Sequence, residues 1–348
     1  MKAAVWLLFF LFFGLIAVQS LLSPSVLIDE ERARVHPPAQ RLIMDSQNLA
    51  NYLLIDESVR HVVACDGYSY EVSISGLLGH VYPELYTHKI ATSLFPFDAE
   101  KILTYHSDAV ITWSEVSEQL RTVGMVQTEN MRYDKENRME SEMENWRMMG
   151  RVADKEQRAN ALVDRYRLRF KDITDELPRT DGYSPRIVIL VNNVGAGIWM
   201  PDNDYYLMYI VKAAGAHNAI KRFFRGLFDM EQIIKADPDI ILINSVPGDN
   251  YYPENLYAQP EWQTLRAVRE RKVYKMPIWS YMGGPVEDAL LLQWFAEVFY
   301  PDSFPHQVRQ KYRDDYLEAY HYRLSDAEID SALFVQENKQ SLHYDRFQ

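Results

Sequence analysis

Gly150 to Leu177, GRVADKEQRANALVDRYRLRFKDITDEL, is the stretch that most limits what this chain can become. Ala159, Leu162, Val163, Tyr166, Phe170, Ile173 and Leu177 recur at spacings of three and four, so a helix gathers them into one apolar stripe. Asp154 is placed to cap the start, and Gln157 three residues on completes a capping box. No Gly or Pro interrupts residues 154–177, and Pro178 ends the run. About 24 residues at ~1.5 Å each make a rod of roughly 36 Å, long for a helix inside one compact domain. A long core helix is the plain alternative. The rod reads instead as a connector, because the segments on its two sides resemble each other.

Phe97 to Thr112 reads FDAEKILTYHSDAVIT, and Phe228 to Ile243 reads FDMEQIIKADPDIILI. Aligned without gaps, Phe97 meets Phe228, Asp98 meets Asp229, Glu100 meets Glu231, Ile102 meets Ile233 and Asp108 meets Asp239. Each copy reads as a short capped helix, an acidic turn and a buried strand. The repeat predicts an α/β protein of two related lobes joined by the rod.

With 348 residues there is room for two domains, and 47% apolar and 13% aromatic residues fill their cores. A net charge of −12 argues against nucleic acid or an anionic membrane surface as partner. Residues 1–20 read as a secretory signal: Lys2 supplies the positive start, and Ala3 to Val18 is an uncharged run short for a spanning helix. Val18 and Ser20 fit the small positions before a cleavage site, and an uncleaved anchor is the alternative. The single Cys65 excludes an intrachain disulfide and sits in HVVAC as a small buried hydrophobe. It lies far from the signal junction, so a lipid-modified cysteine is not expected there.

A Pro-rich, charged leader, read as extended, occupies 21–39. The first lobe, 40–153, alternates strands at 40–44, 61–65, 111–113 and 124–127 with helices at 46–55 (capped by Asp45 or Ser46) and from Ser114. The linking helix is 154–177. The second lobe, 178–300, carries strands at 186–192, 240–244 and 272–276 and helices at 204–214, 261–269 and 286–299. This alternation means parallel sheets. A tail, 301–348, reads as two amphipathic helices.

No catalytic pattern stands out. GAG at 195–197 lacks the third glycine of a dinucleotide site, there is no Walker or GxSxG sequence, and the histidines form no HExxH or His/Cys cluster. What recurs is position. Tyr68, Tyr70, Trp113, Arg132 and Tyr133 follow strands of the first lobe, and Trp199, Tyr205, Tyr251, Tyr252, Trp279 and Tyr281 follow strands of the second. Ligands of open α/β sheets bind beyond the carboxyl ends of the strands, so two facing lobes would form an aromatic-lined cleft. Some of these rings are expected only to plug loops against the core. Arg132 is the candidate partner for an anionic ligand group.

The ordered set of features resembles the class III periplasmic substrate-binding proteins of ABC importers, the Fe/B12 type for iron–siderophore, haem and cobalamin. The resemblance covers residues 40 to about 300. It rests on the paired units EKILTYHSDAVIT and EQIIKADPDIILI, on MGRVADKEQRANALVDRY, and on LYAQPEWQTLRAVRERKVYKMP followed by WSYMGGPVEDALLLQWFAEVFYPD. Ser107 stands where the first unit would have Pro. The resemblance implies two Rossmann-like lobes with the ligand cleft between them, no catalysis, no resident cofactor, and a periplasmic monomer. Its ligand would be a metal chelate passed to an inner-membrane permease, with only modest closure on binding. Glu100 and Glu231 would dock to that permease. Molybdate or tungstate and cobalamin stay open as ligands, as does a bilobal chelatase-like enzyme or an exported module without a cleft.

Overall fold

The computed structural model describes residues 37–45, 48–92, 99–122, 128–178, 183–193, 197–201, 203, 206–220, 230–244, 249–278 and 284–348. The signal, most of the leader, and Phe97, Asp98, Phe228 and Asp229 of the repeat lie outside them.

The first lobe runs β1 (Leu42–Asp45), α1 (Leu49–Asp56), β2 (Val62–Cys65), α2 (Gly67–Ser75), α3 (Leu78–Val81), α4 (Ala99–Thr104), β3 (Ala109–Thr112), α5 (Ser114–Thr122) and β4 (Thr128–Asn130). Its sheet is parallel throughout, in the order β2-β1-β3-β4. Two helices follow, α6 (Arg138–Val152) and α7 (Glu156–Glu176). The second lobe runs β5 (Arg186–Asn193), β6 (Gly197–Trp199), α8 (Tyr206–Ala213), β7 (His217–Asn218), α9 (Met230–Ala236), β8 (Ile240–Asn244), α10 (Pro253–Ala258), α11 (Arg266–Arg269), β9 (Val273–Lys275) and α12 (Glu287–Phe299). The tail forms α13 (Val308–Tyr320) and α14 (Asp326–Ala332). The second sheet has the order β6-β5-β8-β9, with β7 pairing β5. It departs from the all-parallel expectation at β6, which is antiparallel. Only three residues separate β5 from β6, too few for a crossover, so the chain can only fold back on itself.

The repeat extends to the hydrogen bonds. In the first lobe the Gln40 and Arg41 amides donate to Asp108, at 2.8 and 3.0 Å, while the Arg41 side chain donates to the Tyr105 and His106 carbonyls. In the second the Arg186 amide donates to Asp239 at 2.9 Å, and the Arg186 guanidinium donates to the Ala236 and Asp237 carbonyls. His106 and Asp237, equivalent in the alignment, both take left-handed backbone conformations, with φ of 47° and 40°. Each lobe thus begins its first strand clamped to the turn that launches its repeated strand. Ile102 and Ile233 are equivalently buried. Burial alone would raise the Asp239 carboxyl, but the Arg186 amide and the Arg266 guanidinium outweigh it and hold it below the usual carboxylate range.

The expected rod is α7, 21 residues and about 31 Å long. Six of its seven stripe residues are buried as read, Ala159, Leu162, Val163, Tyr166, Phe170 and Ile173, while Leu177 lies just past the helix end and is only partly buried against the core. Its start differs. Asp154 is left-handed, with φ 55°, and Lys155 occupies the cap position without a side-chain cap bond. The break follows from packing. α6 and α7 fold against each other so tightly that a Cβ at Gly150 would stand 2.5 Å from the Ala159 Cβ, and a straight helix through 150–177 could not make that turn. Asp45 likewise belongs to β1 rather than to a cap, and α1 begins after Asn48 without a side-chain cap bond. Residues 124–127 lie outside the described residues, and the neighbouring Thr128–Asn130 forms the edge strand. The predicted helix at 261–269 is a 3-10 turn, Pro260–Thr264, followed by α11.

One continuous apolar core runs from Leu42 and Leu53 through Trp146 and the α7 stripe to Leu207, Leu291 and the tail residues Tyr316 and Phe347. Aromatic rings step across it: Trp146 to Tyr166 at 5.0 Å, Tyr166 to Phe170 at 5.4 Å, Phe170 to Tyr209 at 5.8 Å. The tail finishes the second sheet. Asn338 accepts from the Lys275 amide at 2.7 Å and donates to the Lys275 carbonyl at 2.9 Å, while the Leu342 amide donates to the Arg271 carbonyl at 2.8 Å. The open edge of β9 is thereby paired.

Inside this core Glu142 of α6 is fully buried near Asp288 of α12, which accepts from the Tyr206 hydroxyl at 2.6 Å. Burial, aided by the Asp288 charge, pushes the Glu142 carboxyl up to about 8. The native state therefore holds a proton that the unfolded chain releases near 4.5. Stability from this group is greatest below that value and is lost as pH rises through about 8. Burial raises Glu287 and Glu297 in the same direction. Urea unfolding is expected to show stability falling by on the order of a few kcal/mol between about pH 5 and pH 8. Glu142→Gln should flatten that fall, and an undiminished slope in the variant would place the proton elsewhere.

Candidate functional site at the carboxyl ends of the strands

Asp66 follows β2 directly and accepts from the Ser69 amide at 2.8 Å, capping α2. The cap sets Tyr68, half-buried, in the first turn. Tyr70, two residues further, donates its hydroxyl to the Leu85 carbonyl at 2.8 Å and packs on the core, as a loop plug does. Trp113 leaves β3 half-buried against the same core. Thr112 pairs with Asn130 across β3 and β4, so Trp113 and the residues after β4 emerge side by side. There Asn145 clamps Arg132 through its backbone, accepting from the amide at 2.7 Å and donating to the carbonyl at 3.0 Å, and leaves its side chain exposed. Tyr133 is 46% exposed, with the Arg138 guanidinium carbon 3.6 Å from its ring centroid.

In the second lobe Trp199 ends β6. Tyr205, Trp279 and Tyr281 lie outside the described residues. Tyr251 and Tyr252 follow β8 and are half-buried. Their loop is set by Asp249, which accepts from the Tyr251 amide at 2.8 Å, from Asn192 of β5 at 3.0 Å, and from the Lys275 ammonium. The Lys275 and Asp249 side chains are each 1% exposed. Lys275 also donates to the Tyr251 carbonyl at 3.0 Å and lies 5.3 Å from the Tyr252 ring centroid. Burial pulls its ammonium below the usual lysine range, against the opposing pull of Asp249. The sequence reading missed this pair. Its signal is a lysine at the end of the otherwise apolar VYK, where a buried charge needs a partner.

The structure thus gathers Tyr68, Trp113, Arg132 and Tyr133 at the strand ends of one lobe and Tyr251 and Tyr252 at those of the other. The second lobe's floor is neutralised internally, which leaves Arg132 as the exposed cation among the candidates. The histidines that invite a metal reading have protein partners: His61 with Asp56 at 2.7 Å, His80 with Glu328 at 3.0 Å, His88 with the Val62 carbonyl at 3.3 Å. Among the described residues no group of three His, Cys, Asp or Glu side chains could hold a metal ion, and no helix is long and apolar enough to cross a membrane.

A family model described as periplasmic binding protein matches residues 84–278, more than half of the sequence. The chain belongs to that family. No curated protein matches the sequence of this periplasmic binding protein. Solved structures share its fold. A periplasmic solute binding protein from Veillonella parvula is 23% identical, with TM-score 0.72 over 88% of this chain and 94% of that one. The molybdate periplasmic binding protein MolA of Haemophilus influenzae, bound to molybdate, is 19% identical, with TM-score 0.70 over 84% and 95%. A periplasmic heme binding protein from Pseudomonas aeruginosa is 21% identical, with TM-score 0.61 over 77% and 95%. The family and these neighbours are solute-binding proteins, not enzymes.

The buried pair predicts a stability cycle. Lys275→Met strands the Asp249 charge and should cost about 3–5 kcal/mol in denaturant unfolding. Asp249→Asn should also destabilise, and the double variant should recover part of the loss. Simple additivity of the two losses would show that the groups do not act as a pair.

Proposed function

We propose that this protein is the periplasmic solute-binding component of an ABC importer, capturing an iron complex, siderophore or haem, or a related metal chelate between its lobes. The observation that carries this reading is the composition of the described strand ends: aromatic side chains from both lobes, an internally neutralised floor and the exposed guanidinium of Arg132. Rings supply broad contact to a large, partly apolar ligand, and Arg132 supplies charge for an anionic one. No resident cofactor is needed, since the chelate is cargo. A small oxyanion is the second reading, favoured by the molybdate-bound neighbour with the same fold. Such a ligand would leave most of the rings unused.

Titration of the purified protein with ferric siderophores, haem, cobalamin and molybdate, followed by tryptophan fluorescence, separates these readings. A chelate is expected to bind, and Trp113→Ala to weaken it by about 1–3 kcal/mol through lost stacking and burial. Tight molybdate binding with wild-type behaviour in Trp113→Ala would favour the oxyanion.

Delivery would run through Glu100 and Glu231. Both are exposed second residues of equivalent helices, α4 and α9. A two-fold symmetric permease would meet the two lobes alike. Exposed ion pairs contribute only about 0–1 kcal/mol each, so docking needs both. The double variant Glu100→Arg/Glu231→Arg is expected to keep ligand affinity and lose uptake in cells carrying the permease. Normal uptake would leave only a helix-terminus role for these carboxylates. Export by a cleaved signal, release as a monomer without a lipid anchor, and small-angle closure complete the reading. The cross-lobe core supports the last of these.

A further inference from the structure

A second concavity of about 250 Å³ opens where three parts of the chain meet. One wall is the end of α2 with Gly76 and Leu77, the facing wall is Pro277–Ile278 with the start of α12, and the tail helices α13 and α14 close it. Gly76 brings the lobes close: a Cβ there would lie 3.6 Å from Ile278 Cγ2. None of Tyr68, Trp113, Arg132, Tyr133, Tyr251 and Tyr252 is among its described lining residues.

The polar groups on these walls point to one ligand charge. Glu287 and Glu328 contribute carboxylates, and no Lys or Arg is among the described lining residues. His80 already faces Glu328 at 3.0 Å. Burial raises the Glu287 carboxyl, but the Tyr320 hydroxyl opposes this by donating to Oε1 at 2.7 Å, which favours the charged form and fixes it at the wall, where an arriving cation would favour it further. Beside it the rings of Tyr312 and Tyr316 stack at 6.1 Å with an 18° interplanar angle. A carboxylate next to aromatic rings in a partly apolar recess attracts a cation. The remaining walls, Val72, Leu78, Ile278, Leu290 and Leu291, suit an apolar body.

We propose that this recess is a binding site for a small organic cation, a protonated amine on a compact apolar body of about ten non-hydrogen atoms. The size follows from a cavity of ~150 Å³ accommodating benzene. The ammonium sits between Glu287 and the tyrosine rings, and the apolar body between α2 and α12. Because both lobes and the tail supply walls, the occupant favours the arrangement that holds all three together.

Calorimetric titration of the full mature protein with phenethylamine tests this, alongside propylbenzene and 3-phenylpropanoate as neutral and anionic counterparts. Phenethylamine should bind at least tenfold tighter than either. Glu287→Gln should weaken it tenfold or more. Ser331→Trp, which places an indole at the mouth from an exposed position on α14, should abolish binding. Equal affinity for the three probes, undiminished phenethylamine binding in Ser331→Trp, or no phenethylamine binding at millimolar concentration would each overturn the proposal. Should Glu287→Gln fail to fold, the probe series and Ser331→Trp still decide it.

Discussion

The burial of one face of α7 governs the rest of this structure. Six side chains of that helix face the core, and the core they join belongs to neither lobe alone. Each residue removed from water there contributes on the order of 1–3 kcal/mol. Separating the lobes would expose that surface on both sides at once. The ring contacts from Trp146 to Tyr209 add directional preference to the burial, because tilted and stacked rings lose their geometry when one helix turns against another. The strand ends of the two lobes are thereby tied to one shared core.

The internal repeat shows how two lobes come from one local solution. Asp108 and Asp239 accept from the amides that start β1 and β5, and Arg41 and Arg186 satisfy the carbonyls of the equivalent turns. Those turns need a left-handed residue, supplied once by His106 and once by Asp237, at a backbone cost for each. The strand ends then diverge. The first lobe presents Arg132 exposed, whereas the second encloses Lys275 with Asp249. Equivalent scaffolds thus carry different chemistry at their strand ends.

Strands and long helices were readable because their signals are local. AVIT and IILIN are buried runs of the right length, and the α7 stripe keeps its period across its length. The helix start at Ser114 was readable too, but two others were not, because a cap depends on where the chain comes from. Asp45 has the chemistry of a cap but is held by the β1–β3 pairing, and Asp154 is diverted by the Gly150–Ala159 contact. The candidate site was readable by position and only partly by role. Tyr70 follows a strand as Tyr68 does, yet one hydrogen bond to Leu85 ties it to the core. The Lys275–Asp249 pair joins residues 26 apart, so its partner becomes visible only once β8 and β9 lie side by side.

The pairing of β9 sets an order on assembly. Its edge is satisfied by Asn338 and Leu342, which stand 63 and 71 positions beyond the residues they bond. Until those two residues arrive, the second sheet keeps an open strand, and contacts of such separation form slowly. A chain emerging from its amino end therefore presents β8 and β9 before the residues that cover this edge. Residues 338–342 are the closing piece of the sheet, and a proteolytic cut before Asn338 would leave a strand available to another molecule.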